Sequence, residues 1–216
     1  MVKFRNALGI AAVSLLGVVP ATSQADILTF LFTSDHCTGG CLTGQTNGGS
    51  VTITDVSSGV VSVAVSLANG NQFVNTGFDA SFGFQLAGVG SITYSAIVPA
   101  ANYSIPGGNP QAAQTLMMDG IGDFNHGLEG IGSGGSDPLG SSLSFTIAAA
   151  GLTTGSFIQN GNGQFFGADI LSGSTGKTGG IDVSEGPSHD VPEPAPLALL
   201  AIGLLALVGI RRRLMS

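Results

Sequence analysis

The sequence predicts an all-β fold, an antiparallel β-sandwich, on two observations. Apolar and small polar residues alternate along several stretches, which is the pattern of strands buried on one face. Turn-forming Gly and Asn residues separate these stretches, and no long segment has the period of an amphipathic helix. The alternation does not distinguish a jelly-roll-like from an immunoglobulin-like sandwich. The alternating stretches are Val51–Thr54, Val61–Leu67, Ser81–Leu86, Ile92–Ala96 and Ser142–Ile147.

Four other segments depart from this alternation. Leu28–Phe32 and Phe165–Leu171 are more continuously apolar, as central strands covered on both faces are. Gln111–Met118 is predicted to form a short helix. The Gly- and Pro-rich segment Pro99–Asp137 is predicted to be a large loop, where functional residues are often found.

Three features at the N-terminus predict a signal peptide over residues 1–25. Lys3 and Arg5 are followed by an apolar core, Ala7–Val19, and by the small-residue sequence Ser23-Gln24-Ala25. A basic start, a short apolar core and a small-x-small site are the parts of a secretory signal. Cleavage is predicted between Ala25 and Asp26. The core is shorter than the ~20 residues that a retained membrane helix needs.

The other end of the chain carries three elements in order. Pro192-Glu193-Pro194 is followed by the uncharged segment Ala195–Ile210 and then by Arg211, Arg212 and Arg213. The 16 apolar residues would cover about 24 Å as a helix, which is thin for a full membrane span. Arginines beside a membrane segment stay on the cytoplasmic side, so the preceding domain would lie outside.

These elements resemble the PEP-CTERM sorting signal of Gram-negative bacteria, over Val191–Ser216. The resemblance implies that an exosortase, a membrane-embedded cysteine transpeptidase, recognises Pro192-Glu193-Pro194 and cuts off the tail. It implies export across the inner membrane by the secretion machinery, a transient membrane anchor, and release or attachment at the cell surface. It also implies a biofilm setting, with exopolysaccharide as a further partner.

The charge balance of the remaining segment limits its partners. A sandwich domain is predicted over residues 26–185 and a linker over 186–194, before the sorting helix and basic tail at 195–216. Asp26–Asp190 holds one basic residue, Lys177, against twelve acidic residues, so its net formal charge is −11. Nucleic acid is therefore not an expected partner, because its binding requires cationic side chains.

The only two cysteines, Cys37 and Cys41, are predicted to form a disulfide. An even pair in an exported chain reaches an oxidising compartment, and Gly39-Gly40 between them permits a tight turn. The alternative is a metal site that adds Asp35 and His36 to the two thiolates, although structural zinc normally takes a second ligand pair elsewhere.

Asp119, Asp123 and Asn125 are candidate calcium ligands, because calcium takes oxygen ligands of this kind. The alternative is that these residues only form turns. Calcium is the only candidate cofactor, and the spacing of these three residues does not match an EF-hand loop.

No catalytic constellation emerges from the sequence. The three histidines lie in no recognisable motif, and no Gly-x-Ser-x-Gly sequence occurs. Trp is absent and Tyr is rare, whereas a glycosidase would be expected to present aromatic platforms. We therefore expect a non-enzymatic surface or matrix protein. The alternatives are a polysaccharide- or calcium-binding module and, third, an extracellular hydrolase.

Overall fold

The computed structural model describes residues 25–189, and these residues form seventeen β-strands and three single-turn 3-10 helices. The 3-10 helices are Ala100–Asn102, Gly134–Ser136 and Thr154–Ser156. The strands, in chain order, are β1 (Ile27–Leu31), β2 (Ser34–Asp35), β3 (Gly49–Ser57), β4 (Val60–Leu67), β5 (Gln72–Phe73), β6 (Phe82–Leu86), β7 (Ser91–Val98), β8 (Tyr103–Ser104), β9 (Gln111–Ala112), β10 (Leu116–Met118), β11 (Gly122–Phe124), β12 (His126–Gly130), β13 (Ser142–Ala148), β14 (Phe157–Ile158), β15 (Phe166–Leu171), β16 (Thr178–Val183) and β17 (Ser188–His189).

The strands form two large antiparallel sheets and one small hairpin. A seven-stranded sheet has the order β17-β1-β3-β4-β13-β7-β9. An eight-stranded sheet has the order β2-β16-β15-β6-β12-β8, with β14 paired to β6 and β5 paired to β15. Strands β10 and β11 pair only with each other. The predicted antiparallel sandwich is confirmed.

Phenylalanine rings join the two sheets. Phe82 of β6 lies 6.1 Å from Phe145 of β13, measured between ring centroids, and Phe30 of β1 lies 4.9 Å from Phe166 of β15. All four side chains are almost completely buried. Ring pairs at these separations add to the free energy gained by burying apolar area, so this aromatic layer is the centre of the core.

The predicted alternating stretches correspond to β3, β4, β6, β7 and β13, and their apolar members face this core except Ala96 of β7, which is exposed. Val61, Val63 and Val65 are buried, while Ala64 and Ser66, which alternate with them along β4, are exposed. The continuously apolar Phe165–Leu171 corresponds to β15, which lies inside the eight-stranded sheet and is buried along five of its six residues. Its second face is covered by the β10–β11 hairpin, so the two-sided burial has a structural cause.

Two predictions for the middle of the chain are wrong. Gln111–Met118 is not a helix: it contains β9 and β10. Pro99–Asp137 is not one large loop, because β8 to β12 lie within it and β12 pairs with the central strand β6. These strands have two to five residues each, which is too short for alternation to be recognised.

The two segments that are predicted to direct export and sorting lie mostly outside the described residues. The predicted signal peptide ends where the described residues begin, and the sorting motif and apolar segment follow the last described residue. No helix within residues 25–189 is long and apolar enough to cross a membrane. The predicted linker, 186–194, contains strand β17, whose two residues pair with β1.

We predict that Phe82→Ala lowers the free energy of unfolding by about 3–5 kcal/mol, because it leaves a cavity in the aromatic layer. Urea denaturation measures this change. Ser66→Ala on the exposed face of β4 is the control and should change stability by less than about 0.5 kcal/mol. Equal effects of the two substitutions would contradict the assignment of the core.

Candidate functional site

A row of glycines on the outer face of the eight-stranded sheet provides the floor of the candidate site. Gly83 of β6 pairs with Gly167 of β15, and Gly127 of β12 pairs with Gly83 from the other side. Gly180 of β16 is the fourth residue of this outer face that lacks a side chain. The strand neighbours of these glycines include core residues, which are Phe82, Phe84, Phe166, Ala168, Leu128 and Ile181, so the glycines face outward.

The β10–β11 hairpin fills the space that the missing side chains leave. Met118, Ile121 and Phe124 form a buried cluster there, with Phe78 packed against it. A Cβ atom at Gly167 would lie 2.8 Å from the Phe124 ring and 2.9 Å from the Met118 sulfur. The close approach of the hairpin therefore requires glycine at this position.

Two completely buried carboxyl groups flank this cluster on the same face. Asp169 pairs with Gly180 across β15 and β16, and Asp182 pairs with Gly167. The two aspartates thus occupy diagonal positions, for which Cα separations are ~7–8 Å. The sheet register brings them together, although they lie on different strands.

Each aspartate has one oxygen bound and one oxygen without a partner. Asp169 Oδ2 accepts hydrogen bonds from Thr76 N–H (2.6 Å) and from the Thr76 hydroxyl (2.7 Å). Asp182 Oδ2 lies 2.6 Å from Nε2 of the partly exposed His36. Oδ1 of both aspartates is buried with no hydrogen-bond partner. Buried polar atoms of this kind destabilise a fold.

The environment raises the pKa of both carboxyl groups. Burial raises the pKa of Asp169 to about 6, although the hydrogen bonds from Thr76 oppose the rise. Burial also raises the pKa of Asp182, and His36 opposes that rise. Shifted carboxyl groups are a common feature of functional sites, and also of structural ones.

The disulfide loop lies beside this site. Cys37 and Cys41 are joined, as predicted, with 5.5 Å between their Cα atoms. Asp35 accepts hydrogen bonds from the backbone N–H groups of Cys37 and Leu42, and Lys177 Nζ donates to the carbonyl of Gly39 (2.8 Å). Asp35 and His36 therefore bind protein groups, and the thiols are oxidised, so the alternative metal site at this loop is wrong.

The calcium candidates lie on and beside the hairpin. Asp119 is exposed in the turn between β10 and β11, and Asp123 is exposed on β11. Asn125 is already engaged: its Oδ1 accepts from Leu86 N–H (2.9 Å) and its Nδ2 donates to the Leu86 carbonyl (2.8 Å). Within residues 25–189, no group of three His, Cys, Asp or Glu side chains could hold a metal ion. Calcium binding at Asp119, Asp123 and Asn125 stays a prediction.

Two open depressions lie on either side of the chain that leads into β10. Both are lined by Gln114 and Thr115. The first, the amide cleft, has a volume of about 520 Å³ and is also lined by Gln85, Asp123, Asn125 and Asn162. The second, the acidic groove, has a volume of about 590 Å³ and is also lined by Asn75, Phe78, Asp79 and Glu129. Volumes of 300–1,000 Å³ are typical of ligand sites.

His126, a histidine considered for catalysis, lies inside the sandwich. It is fully buried, its ring stacks on Phe84, and its Nδ1 lies 3.3 Å from Gln111 Oε1. Burial lowers the pKa of His126. Tyr94 donates a hydrogen bond to the same Gln111 oxygen (2.8 Å), so these residues form a polar network that joins β7, β9 and β12.

We predict that Gly167→Ala displaces the β10–β11 hairpin, because the new methyl group would overlap Phe124 and Met118. Hydrogen exchange of the amides in 116–124 should accelerate, while exchange in β3 and β4 stays slow. Gly90→Ala is the matched control, since a Cβ at Gly90 meets no atom within 4 Å. Unchanged exchange in Gly167→Ala would contradict the packing.

We predict that protonated Asp169 contributes to the free energy of unfolding, and that this contribution is lost as the pH rises from 3.8 to about 6. The folded state retains a proton there that the unfolded state has lost, so its contribution falls by on the order of 3 kcal/mol across this window. Asp169→Asn should remove this part of the pH dependence in urea denaturation, whereas the exposed-site control Asp137→Asn should not. Identical pH profiles for the three proteins would contradict it.

The predicted cleavage site and sorting residues lie at or beyond the limits of the described residues. Ala25 and Asp26 lie at the start of the described residues, directly before β1. Pro192, Glu193, Pro194 and Arg211–Arg213 lie outside them. No curated protein and no solved structure matches the chain. The family model of the PEP-CTERM protein-sorting motif matches residues 190–213, so the chain is an exported protein that carries this motif, with a transient C-terminal membrane anchor that exosortase processes.

Proposed function

We propose that this protein is a non-enzymatic component of the cell surface or extracellular matrix of a Gram-negative bacterium that makes exopolysaccharide. The observation that carries the proposal is the PEP-CTERM motif at residues 190–213, which begins directly after a β-sandwich. The motif accounts for export and anchoring, while the sandwich is the part that remains outside. The matrix setting rests on the resemblance of the tail.

The chemistry of the buried polar groups supports a non-enzymatic role. Asp169 and Asp182 are completely buried beside the apolar cluster of the hairpin. His36 holds Asp182, and Asp35 with Lys177 holds the disulfide loop. These groups therefore have structural partners, and a general acid or base must instead reach a substrate proton.

Deletion of the gene tests this role. The deletion strain should lose matrix, and the full chain should restore it, whereas a chain with Glu193→Ala should not be sorted and should fail to restore it. The proposal is contradicted if the purified protein turns over a labelled polysaccharide and Asp119→Asn or Asp123→Asn abolishes that turnover.

A polysaccharide-binding module is the second candidate function, and the acidic groove favours it. Phe78 is half-buried in the groove and offers an aromatic surface, while Asn75, Asp79, Gln114 and Glu129 offer hydrogen-bonding groups to sugar hydroxyls. The carboxylates and the net charge of −11 repel an anionic chain. The groove therefore fits a neutral polysaccharide.

We predict that Phe78→Ala weakens binding of a neutral polysaccharide roughly two- to tenfold, because the aromatic contact is lost. Titration calorimetry with defined oligosaccharides measures this change. Ile158→Ala removes an apolar side chain outside the groove and is the control. Equal affinities of Phe78→Ala and the wild type would exclude the groove, and affinity that is lost in EDTA would show that calcium takes part.

A further inference from the structure

The two ends of the described chain lie side by side at one end of the sandwich. Leu28 of β1 pairs with His189 of β17, and Thr29 pairs with Ser188, in antiparallel register. Ser188 Oγ also donates a hydrogen bond to the Thr29 carbonyl (3.2 Å). The residues that precede β1 and those that follow β17 therefore leave the sheet at the same place.

Two connections of the seven-stranded sheet meet at this place. They are the β3–β4 turn, Ser57–Gly59, and the segment Gly151–Thr153 after β13, which line a depression of about 520 Å³ together with Asp26 and Asp55. Thr154 binds both carboxylates through its hydroxyl group. We call this part of the molecule, residues 55–59 and 151–154 with Asp26, the tail-side end.

The chain between the sheet and the sorting motif is very short. Only Asp190 and Val191 separate His189, the last residue of β17, from Pro192. Three Cα–Cα steps of 3.8 Å can span at most about 11 Å. As long as β17 is paired, Pro192 therefore stays within about 11 Å of the sheet. An enzyme that reads Pro192–Pro194 must come equally close.

We propose that the tail-side end is a contact surface for the membrane-embedded sorting enzyme. This inference rests on processing of the tail, and it adds that the folded domain itself lies against the enzyme during the cut. The β3–β4 turn suits close approach because its tip, Ser57-Ser58-Gly59, carries only small side chains, next to the exposed Val56 (59%).

Charge favours a protein partner over the lipid surface. The domain has a net formal charge of −11, and Asp26 and Asp55 lie at the tail-side end. Anionic headgroups attract polybasic segments and repel a surface of this sign. The tail-side end therefore lacks the charge that would hold it on a bilayer.

Insertions into the full-length chain test the proposal in the producing cell. Ten Gly and Ser residues between Ser58 and Gly59 should slow cutting of the tail roughly tenfold. The inserted residues project from the contact surface and keep the domain away from the enzyme. The same insertion between Thr43 and Gly44, in an exposed loop at the opposite end, is the matched control and should have no effect. A second insertion of ten residues between His189 and Asp190 should restore cutting of the Ser58 variant.

The readout is the rate at which precursor is converted to the cut form, with protease resistance as the check on folding. Folded Ser58 variant that is cut at the wild-type rate overturns the proposal. So does a slow variant that the tail spacer does not rescue. A wild-type chain that is never cut overturns processing itself, whereas normal cutting of all variants overturns only the contact.

A photo-crosslinking amino acid in place of Ser58 identifies the partner. We expect a crosslink to the sorting enzyme in the wild-type tail, and its loss when the tail carries the ten-residue spacer. Crosslinks to lipid alone would overturn the proposal in favour of a membrane contact.

Discussion

The glycine row on the eight-stranded sheet is the constraint on which the rest of the outer face depends. Because Gly83, Gly167 and Gly180 have no side chains, the β10–β11 hairpin lies directly on the sheet. Its residues also form part of the walls of both depressions. A register shift of one residue in β6 or β15 would replace glycine by phenylalanine on this face and remove Phe82 or Phe166 from the core.

Much of the fold could be predicted because most long strands have one face in solvent. Val61 to Leu67 and Leu143 to Ile147 alternate clearly, and both lie in strands whose apolar residues face the core. The helix predicted for Gln111–Met118 is wrong because tertiary contacts override local helix preference there. Gln111 is buried, and Tyr94 and Gly127 take up its side-chain amide. Only the folded sheet brings these residues together.

The buried carboxyl groups show the limit of sequence reasoning about the site. His36 and Asp182 are 146 residues apart, so only strand register reveals their contact. Asp169 could have been noticed as the single charged residue in the apolar run Phe165–Leu171. Residue type makes Asp119, Asp123 and Asn125 candidates for calcium binding, but the structure uses the Asn125 side chain as a partner for the backbone of β6. Residue type alone does not show which oxygens are free.

The domain and its tail are joined more closely than the sequence suggests. Strand β17 lies in the segment that was predicted as a linker, and it ends three residues before Pro192. The disulfide, Lys177 and Asp35 fix the loop after β2, which suits a domain that folds after export into an oxidising compartment. Strand β1 follows the predicted signal cleavage site and its partner β17 precedes the sorting motif, so both processed ends of the domain lie at the β1–β17 edge.

The most direct test of this account is the intact mass of the protein recovered from outside the producing cells. The account predicts a chain that begins at Asp26, contains the Cys37–Cys41 disulfide, and lacks the apolar segment Ala195–Ile210 and the arginines after it. Recovery of a chain that retains residues 1–25 or the apolar segment would contradict it.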